Sequence, residues 1–357
     1  MRVAVDMTFP NRNAAGSSMY AVELLRELQQ RDGVTVSEVA ANTGGLPGTL
    51  TWIAGGARAA VAATDLVHCP AFVAPWGMGK PFVLTVHDTS IFDFPEDHPF
   101  EWLEYIRAFL GRRARAAARV ITGTEQSRRD IIHDLGVPAE RIAVTPYGVA
   151  RRFNRTAPHP DPPPRGEGDT PKLLFPGAPS RRKNLELVLM GMAEAPPDSV
   201  LRRADLAISG ADRDAFPTYR DRVKALGLES RVRWTGNVPL EEMPGLMEGS
   251  DAVVYPSLQE GFGFPALEAM SLGTPVIASN TSCLPEVLGD GALLIDPTDV
   301  NGFIAAAEAV LTRPELRQEL IAKGRARASQ FSWKRCADLT IDVYREAVAS
   351  AARSGSR

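Results

Sequence analysis

The chain has 357 residues, of which 44% are hydrophobic and 23% are charged, and its formal net charge is −3. This is the composition of a globular protein that is long enough for two domains. The charge balance excludes the bulk basic field of a nucleic-acid-binding protein. Its cysteines, Cys69, Cys283 and Cys336, are too widely spaced for a disulfide framework or a zinc site, and they predict a reducing, cytoplasmic setting.

The sequence shows no targeting or membrane-spanning pattern. It enters its first predicted strand at Arg2, without the charged and apolar regions of a cleaved signal. No apolar run approaches the roughly 20 residues that are needed to span a bilayer. We therefore expect a cytoplasmic protein that is not integral to a membrane.

The elements predicted along the chain follow an α/β pattern. Short β-branched runs alternate with helical patterns such as Ala21 to Gln30, Leu185 to Ala193 and Gly302 to Thr312. This alternation predicts parallel sheets with crossover helices. Ligands of such folds bind at the carboxyl ends of the strands. His87 lies at such an end, after the strand pattern Pro81 to Val86, and is a candidate site residue.

The segment from Trp102 to Arg119 reads as a helix in which arginines are interleaved with apolar residues. One interpretation is a basic amphipathic surface that makes peripheral contact with anionic lipid at the inner face of the membrane. The other is a solvated helix face whose arginines extend along apolar surface into water. Both interpretations stay open at this point.

A segment rich in proline and glycine, 151–171, predicts an interdomain linker, because it is too poor in apolar residues for a strand or helix. The predicted organisation is an N-terminal domain over 1–150, a C-terminal domain over 172–331, and a last helix followed by a frayed tail over 332–357.

Three cations precede the helix pattern that begins at Leu185, namely Arg181, Arg182 and Lys183. Asn184 is a plausible N-cap for this helix, which places the cations beside the positive end of the helix dipole. Cations are unfavourable at that end of a helix, and a bound anion such as a diphosphate would compensate for their charge. The alternative is a solvated basic loop.

The most informative segment runs from Tyr255 to Met270 and places two carboxylates around a glycine loop that opens into a helix. Gly261 and Gly263 allow close approach of a ligand to the main chain, and the helix N-terminus after them favours a phosphate. Pro265 is expected at the first helical position. Glu260 and Glu268, the latter in the first helical turn, would accept hydrogen bonds from sugar hydroxyls. A helix-start glutamate is also favourable without any ligand.

Glu260 and Glu268 enclose seven residues that include Gly-Phe-Gly-Phe-Pro, and this arrangement resembles the signature of the GT4 family of retaining glycosyltransferases, also known as glycosyl transferases group 1. The resemblance covers nearly the whole chain. Further segments that match the family in order are 3–6, 15–25, 67–70, 83–88, 119–127, 144–149, 174–177, 182–184, 234–238 and 331–333.

The resemblance implies the GT-B fold, in which two Rossmann-like, doubly wound parallel-sheet domains face each other across a cleft, with the last helix crossing back to the first domain. It also implies retaining transfer of a sugar from a nucleoside diphosphate sugar to a saccharide, lipid-linked or natural-product acceptor, as in polysaccharide biosynthesis. The segment from His87 to Phe92, followed by Pro95-Glu96, resembles mannosyltransferase-like members, and GDP-mannose is the first candidate donor. No cofactor and no metal are expected.

The family's functional residues can be carried over to matching positions of this chain. The implied catalytic set is His87, Arg182, Lys183 and Glu260. The implied donor-binding set is Gly16, Ser17, Gly177, Val238, Gly261, Phe262, Gly263, Phe264 and Glu268.

Three other functions fit a doubly wound chain. A nicotinamide-dependent oxidoreductase should show a Gly-X-Gly-X-X-Gly turn after its first strand, and Val3 to Gly16 does not provide one. A nucleotide-sugar epimerase of GT-B-like fold would need no acceptor. A non-catalytic nucleotide-sugar-binding protein would bind the donor without turnover.

Overall fold

The structure is a computed structural model that describes residues 1–12, 16–41, 45–98, 100–153, 169–210 and 219–355. Most of the predicted linker, 154–168, lies outside the described residues. The chain forms two compact units, one comprising Met1–Gly148 with Phe331–Arg357 and the other comprising Val149–Gln330.

The first unit is built on a parallel six-stranded sheet in the order β2-β1-β3-β4-β5-β6. Its strands are β1 (Arg2–Asp6), β2 (Thr35–Val39), β3 (Leu66–Cys69), β4 (Phe82–Thr85), β5 (Arg119–Thr122) and β6 (Ile142–Val144). Its helices before the second unit are α1 (Gly16–Leu28), α2 (Gly45–Thr51), α3 (Ala57–Ala60), α4 (Ser90–Asp93), α5 (Phe100–Tyr105), α6 (Gly111–Ala116) and α7 (Glu125–Leu135). Strands β3 and β4 are buried along their whole length, which agrees with a parallel sheet covered on both faces.

The basic segment predicted as a helix over Trp102 to Arg119 is helical, but the helix ends earlier than predicted. A π-helical turn, Ile106–Leu110, joins α5 to α6 without a break, α6 ends at Ala116, and Arg119 begins β5. The interleaved apolar side chains of Leu103, Ile106 and Leu110 are buried in the core of the first unit. They therefore offer no apolar face to a bilayer.

The arginines of this segment are also engaged within the first unit. The Arg113 guanidinium lies 4.6 Å from the ring centre of Trp76 and 4.5 Å from that of Phe82. Arg115 donates to the carbonyl of Leu135 at the end of α7, and Arg119 pairs with Glu346. The buried apolar side chains of this segment are therefore unavailable to lipid, and Arg113, Arg115 and Arg119 are already engaged within the protein.

The second unit contains a parallel six-stranded sheet in the order β12-β11-β10-β7-β8-β9. Its strands are β7 (Lys172–Pro176), β8 (Asp205–Ser209), β9 (Val232–Gly236), β10 (Ala252–Tyr255), β11 (Val276–Ser279) and β12 (Leu293–Ile295). Its helices are α8 (Leu185–Glu194), α9 (Tyr219–Ala225), α10 (Met243–Glu248), α11 (Phe264–Leu272), α12 (Leu284–Leu288), α13 (Val300–Thr312) and α14 (Pro314–Ala328).

The last helix, α15 (Trp333–Gly355), belongs to the first unit. Arg31, which follows α1, donates to Asp338 of α15 at 2.7 Å. The buried ring of His68 joins α15 to the sheet, because its Nδ1 lies 2.7 Å from the Tyr344 hydroxyl and its Nε2 lies 2.8 Å from that of Thr85. The tail predicted to fray from Ser350 is instead helical to Gly355, where two alanines, good helix formers, continue the helix.

Gly148 provides a test of how α15 is anchored. A Cβ at this position would clash with the backbone nitrogen of Trp333 and lie 2.7 Å from its indole Cδ1, so Gly148→Ala must displace the start of α15. We expect the substitution to destabilise the protein by about 1–3 kcal/mol, the usual cost of overpacking.

The matched control is Gly245→Ala in α10, where an added Cβ would meet no atom within 4 Å. Alanine is favoured over glycine inside a helix, so this variant should melt at the same or a higher temperature than the wild type. Equal melting temperatures of Gly148→Ala and wild type in thermal denaturation would contradict the close packing.

Candidate functional site

The second unit has a topological switch point between β7 and β10. Counted outward from this pair, the strand order runs β7-β8-β9 on one side and β10-β11-β12 on the other. Ligands of doubly wound sheets bind beside the carboxyl ends of the strands at such a point. The two loops that leave β7 and β10 there are the two that the sequence singled out.

The loop after β7 places the ammonium group of Lys183 beside the carboxyl end of β7. Gly177 has a φ of +97°, and a Cβ there would lie 2.7 Å from the Lys183 ammonium. That ammonium is 3.4 Å from the carbonyl of Pro176 and 5.5 Å from the ring centre of Tyr255. The left-handed backbone conformation favours glycine at 177, and the absence of a Cβ leaves room for the Lys183 ammonium.

An ion pair joins the two loops. Arg182 Nη1 lies 2.9 Å from Glu260 Oε2, with only 19% and 11% of the two side chains exposed. The same nitrogen donates to the carbonyl of Gln259 at 2.7 Å. The N–H of Leu258 donates to the carbonyl of Arg182 at 2.8 Å. Main chain and side chains therefore hold the two loops together.

Glu260 is held in its ionised form. Burial by itself would raise the pKa of Glu260, but the charges of Arg182 and Lys183, with hydrogen bonds from Arg182 and Tyr255, outweigh burial and lower it below the usual value. Its other oxygen, Oε1, accepts a hydrogen bond from the Ser257 hydroxyl at 2.9 Å. The site thus contains a fixed carboxylate beside two cations.

The loop after β10 ends at the N-terminus of α11. Gly261 and Phe262 are buried, and Gly263 is the N-cap residue with a φ of +86°. Phe264, the first helical residue, packs its ring 5.0 Å from that of Phe262. Pro265 has no N–H, and the N–H groups of Ala266 and Leu267 both donate to the carbonyl of Gly263, so what this end of the helix offers an anion is the positive end of its dipole.

Two details predicted for this helix are wrong. Pro265 occupies the second helical position, because Phe264 already has helical geometry. Glu268 is consequently the fifth helical residue and lies beyond the first turn, which contains no acidic residue. The N-terminal dipole therefore does not account for a glutamate at this position.

Glu268 is buried, with 6% of its surface exposed. Burial raises the pKa of Glu268 to about 8, and Arg152 is the nearby charge that opposes this rise. The two glutamates of the motif thus differ in charge at neutral pH, since Glu260 is ionised and Glu268 is mostly protonated. A protonated carboxyl can both donate and accept a hydrogen bond.

Asn184 is confirmed at the N-cap position of α8, but its side chain does not cap the helix. Its backbone is left-handed, with a φ of +56°. Its amide donates to the carbonyl of Pro297 at 2.8 Å and to that of Pro256 at 3.2 Å. Asn184 therefore also fastens the loop after β10.

In the first unit, Gly16 and Ser17 begin α1. Gly16 is exposed and Ser17 is half-buried, while residues 13–15 before them lie outside the described residues. Val238, in the second unit, follows β9 at the edge of the sheet, two strands away from β7. The structure therefore does not place Val238 beside the Arg182–Glu260 pair.

His87 is buried and neutral. Its Nε2 lies 3.0 Å from the Pro70 carbonyl and its Nδ1 lies 2.9 Å from the Tyr147 hydroxyl. A carbonyl only accepts, so Nε2 carries the proton and Nδ1 accepts from Tyr147. Burial lowers the pKa of His87 to about 4, against smaller opposing effects of Asp88 and Pro70. Both ring nitrogens are thus already engaged within the first unit.

Sequence reasoning missed the serines around Glu260. Ser257 binds its carboxylate, and Ser282 binds its backbone. The available signal was that polar residues follow the strand ends of β10 and β11. Serine is too common in loops for that signal to single out these two.

No group of three or more His, Cys, Asp and Glu side chains is arranged to hold a metal ion in the part of the chain that the structure describes. Within the same residues, no helix combines the length and the apolar character needed to cross a bilayer.

Two family models match the chain in succession. Residues 52–152 match Glycosyltransferase Family 4, and residues 161–327 match Glycosyl transferases group 1. The O-antigen chain mannosyltransferase B of Escherichia coli is 34% identical over 283 residues, covering 78% of this chain and 74% of that protein. The chain belongs to the GT4 family of glycosyltransferases. As a member of this family, it is an enzyme that transfers a sugar.

Another similar protein agrees with this assignment, and two solved structures share the fold. The MMP alpha-(1->4)-mannosyltransferase of Mycolicibacterium hassiacum is 31% identical and covers 77% of this chain and 67% of its own length. The sucrose-phosphate synthase of Thermosynechococcus elongatus has a TM-score of 0.76 at 20% identity, with 98% and 100% of the two chains covered.

HepE of Anabaena has a TM-score of 0.73 at 18% identity, with 96% and 99% of the two chains covered. At these identities, similarity to the two structures establishes the fold and nothing about activity. The chain has the GT-B fold, as the sequence predicted.

Glu268→Gln tests the raised pKa of Glu268. The unfolded carboxyl ionises near its ordinary value of 4.5, whereas the folded one ionises at about 8. Between these values the folded state keeps a proton that the unfolded state releases. The wild type therefore loses stability as pH rises, by up to about 1.4 kcal/mol per pH unit.

Glutamine does not ionise and escapes this loss. The variant should match the wild type in stability near pH 4.5, gain on it up to pH 8, and keep a constant lead above that. Denaturant unfolding across this pH range measures the difference. A difference that does not change with pH would show that Glu268 is not protonated in the folded state.

Proposed function

We propose that this glycosyltransferase takes a sugar from a nucleoside diphosphate sugar and transfers it to an acceptor hydroxyl with retention at the anomeric carbon. The observation that carries the proposal is the Arg182–Glu260 pair, with Lys183 beside it and the N-terminus of α11 after it. This arrangement combines cations for a departing diphosphate with a carboxylate for sugar hydroxyls.

The cations would stabilise the negative charge that develops on the leaving diphosphate. When the glycosidic bond breaks, the sugar becomes positive and the leaving diphosphate gains negative charge. Arg182 offers planar donors that suit a phosphate, and Lys183 adds a point charge. The positive end of the α11 dipole would add a favourable field for the phosphates.

Glu260 would bind hydroxyls of the donor sugar. Its two oxygens receive hydrogen bonds from Ser257, Arg182 and Tyr255, and because a carboxylate has about four lone-pair sites, capacity for a donor hydroxyl remains. Because the pKa of Glu260 is lowered, the carboxylate accepts rather than donates at neutral pH. Glu268 would bind the ribose, and its protonated carboxyl could donate to a ribose oxygen.

The remaining site assignments stay predictions that rest on the family. They are that Gly16, Ser17 and His87 contact the donor, and that Val238 pairs its backbone with the base. For the acceptor we propose a saccharide, a lipid-linked saccharide or a natural product. Peripheral contact with anionic lipid would rest on charges such as Arg107 and Arg112, since Leu103, Ile106 and Leu110 of that segment are buried.

GDP-mannose is our first candidate for the donor. Two of the similar proteins are named as mannosyltransferases. HepE, in contrast, has been solved in complex with UDP and glucose. Guanine and uracil donors therefore both belong in the first assay.

The nucleotide test is thermal stabilisation by GDP, UDP, dTDP and ADP, with NAD as the negative control. A ligand at about 100 times its Kd adds roughly 2.7 kcal/mol, which is a shift of a few degrees in Tm. We expect one diphosphate to give this shift and Arg182→Ala to abolish it, because the variant loses the bidentate donor.

Arg317→Ala is the matched control. Arg317 pairs with Asp251 at 3.3 Å in the same unit, and its side chain is 18% exposed, against 19% for Arg182. This variant should keep the nucleotide-induced shift, measured against its own baseline. A shift with NAD only, or an undiminished diphosphate shift in Arg182→Ala, would contradict the proposal.

A second test concerns metal ions. If the protein's own cations stabilise the leaving diphosphate, a chelator should leave the transfer rate unchanged within about twofold. The measurement is sugar transfer in excess EDTA, compared with added Mg²⁺ or Mn²⁺. A large loss of activity that either ion restores would assign leaving-group stabilisation to a metal.

A further inference from the structure

The backbone is strained at the switch point of the second unit. Among the described residues, three that carry a Cβ have positive φ, namely Phe72, Asn184 and Ser282. Asn184 lies after β7, and Ser282 follows β11, the strand next to β10. Asparagine tolerates the left-handed region, but serine rarely adopts it, and such outliers persist where the surrounding structure enforces them.

The strained backbone at Ser282 places its hydroxyl against the main chain of Glu260. Its Oγ accepts a hydrogen bond from the N–H of Glu260 at 3.0 Å and donates one to the carbonyl of Glu260 at 2.9 Å. One side chain thus satisfies both main-chain groups of a single residue. Glycine would adopt the same φ of +58° without strain, but it would leave both groups without this partner.

Ser279 and Ser257 add further hydrogen bonds, and the last of these reaches the Glu260 carboxylate. Ser279, at the end of β11, donates from its hydroxyl to the carbonyl of Ser257. Ser257 in turn donates to Glu260 Oε1 at 2.9 Å. Glu260 is therefore held at its backbone by Ser282, at Oε1 by Ser257 and at Oε2 by Arg182.

We propose that Ser282 is a positioning residue for the sugar-binding carboxylate of Glu260. It fixes the peptide of Glu260 between β10 and α11, and Ser257 then fixes the rotation of the carboxylate. The inference rests on the proposed function, in which Glu260 binds sugar hydroxyls. It adds separate roles for two groups of residues. Arg182 and Lys183 bind the diphosphate, whereas Ser282 and Ser257 orient the carboxylate that binds the sugar.

These separate roles predict which constants change in Ser282→Gly. The substitution removes the hydroxyl and relieves the backbone strain, so it isolates the hydrogen bonds to Glu260. A displacement of about 1 Å at a reacting group can cost roughly a hundredfold in rate. We expect kcat for sugar transfer to fall at least about tenfold, with the Kd for the free nucleoside diphosphate and the Tm little changed.

Ser329→Ala serves as the control for loss of a serine hydroxyl. Ser329 is exposed at the end of α14, and among the described contacts its hydroxyl donates only to the carbonyl of Ala326. Its kcat should equal that of the wild type. Ser257→Ala is a second test of the same inference, and it should lower kcat without weakening diphosphate binding.

A double-mutant cycle with Glu260→Gln separates positioning from a general structural effect. If Ser282 acts through Glu260, Ser282→Gly should cost much less in the Glu260→Gln background than in the wild type. Equal costs in both backgrounds would overturn the inference. So would full kcat in both Ser282→Gly and Ser257→Ala.

The wild type distinguishes failure of the inference from failure of the proposed function. If the wild type neither binds a nucleoside diphosphate nor transfers a sugar, the proposed function fails. If the wild type does both and the serine variants do so equally well, only the positioning role fails.

Discussion

The ion pair between Arg182 and Glu260 is the interaction on which the candidate site depends. It joins the loops that leave β7 and β10, the two strands at which the sheet order reverses. Loss of one partner from a largely buried pair leaves the other charge uncompensated, which costs about 3–5 kcal/mol. The pair can form because β7 and β10 are neighbours whose parallel register brings both carboxyl ends to one edge.

The surroundings of this pair give two glutamates of one motif different charges. Glu260 has cations and hydroxyl donors around its carboxylate, so its pKa is lowered. Glu268 is buried on α11 with Arg152 as the nearby cation, so its pKa is raised to about 8. The neighbouring groups, not the residue type, decide which carboxyl accepts and which can also donate. Both states suit a ligand that carries many hydroxyls.

The sequence allowed prediction of the fold and of the loops at the switch point, because glycines, prolines and alternating apolar runs mark local structure. Arg182 and Glu260 were predicted as site residues, but not as partners, since their contact depends on strand order. The buried face of Leu103, Ile106 and Leu110 could not be distinguished from a membrane face, because periodicity shows that a face is apolar but not what covers it.

The serine contacts to Glu260 were beyond prediction for a different reason. They depend on a left-handed backbone at Ser282, a residue type that rarely adopts it. Only the packing of the loop after β11 against the loop after β10 imposes that conformation.

The most direct test of the account is a crystal structure of the chain with a bound nucleoside diphosphate. The account predicts that the phosphates lie within hydrogen-bond distance of Arg182 or Lys183, beside the N-terminus of α11. Phosphates bound away from these groups, with the Arg182–Glu260 pair unaltered and facing solvent, would contradict it.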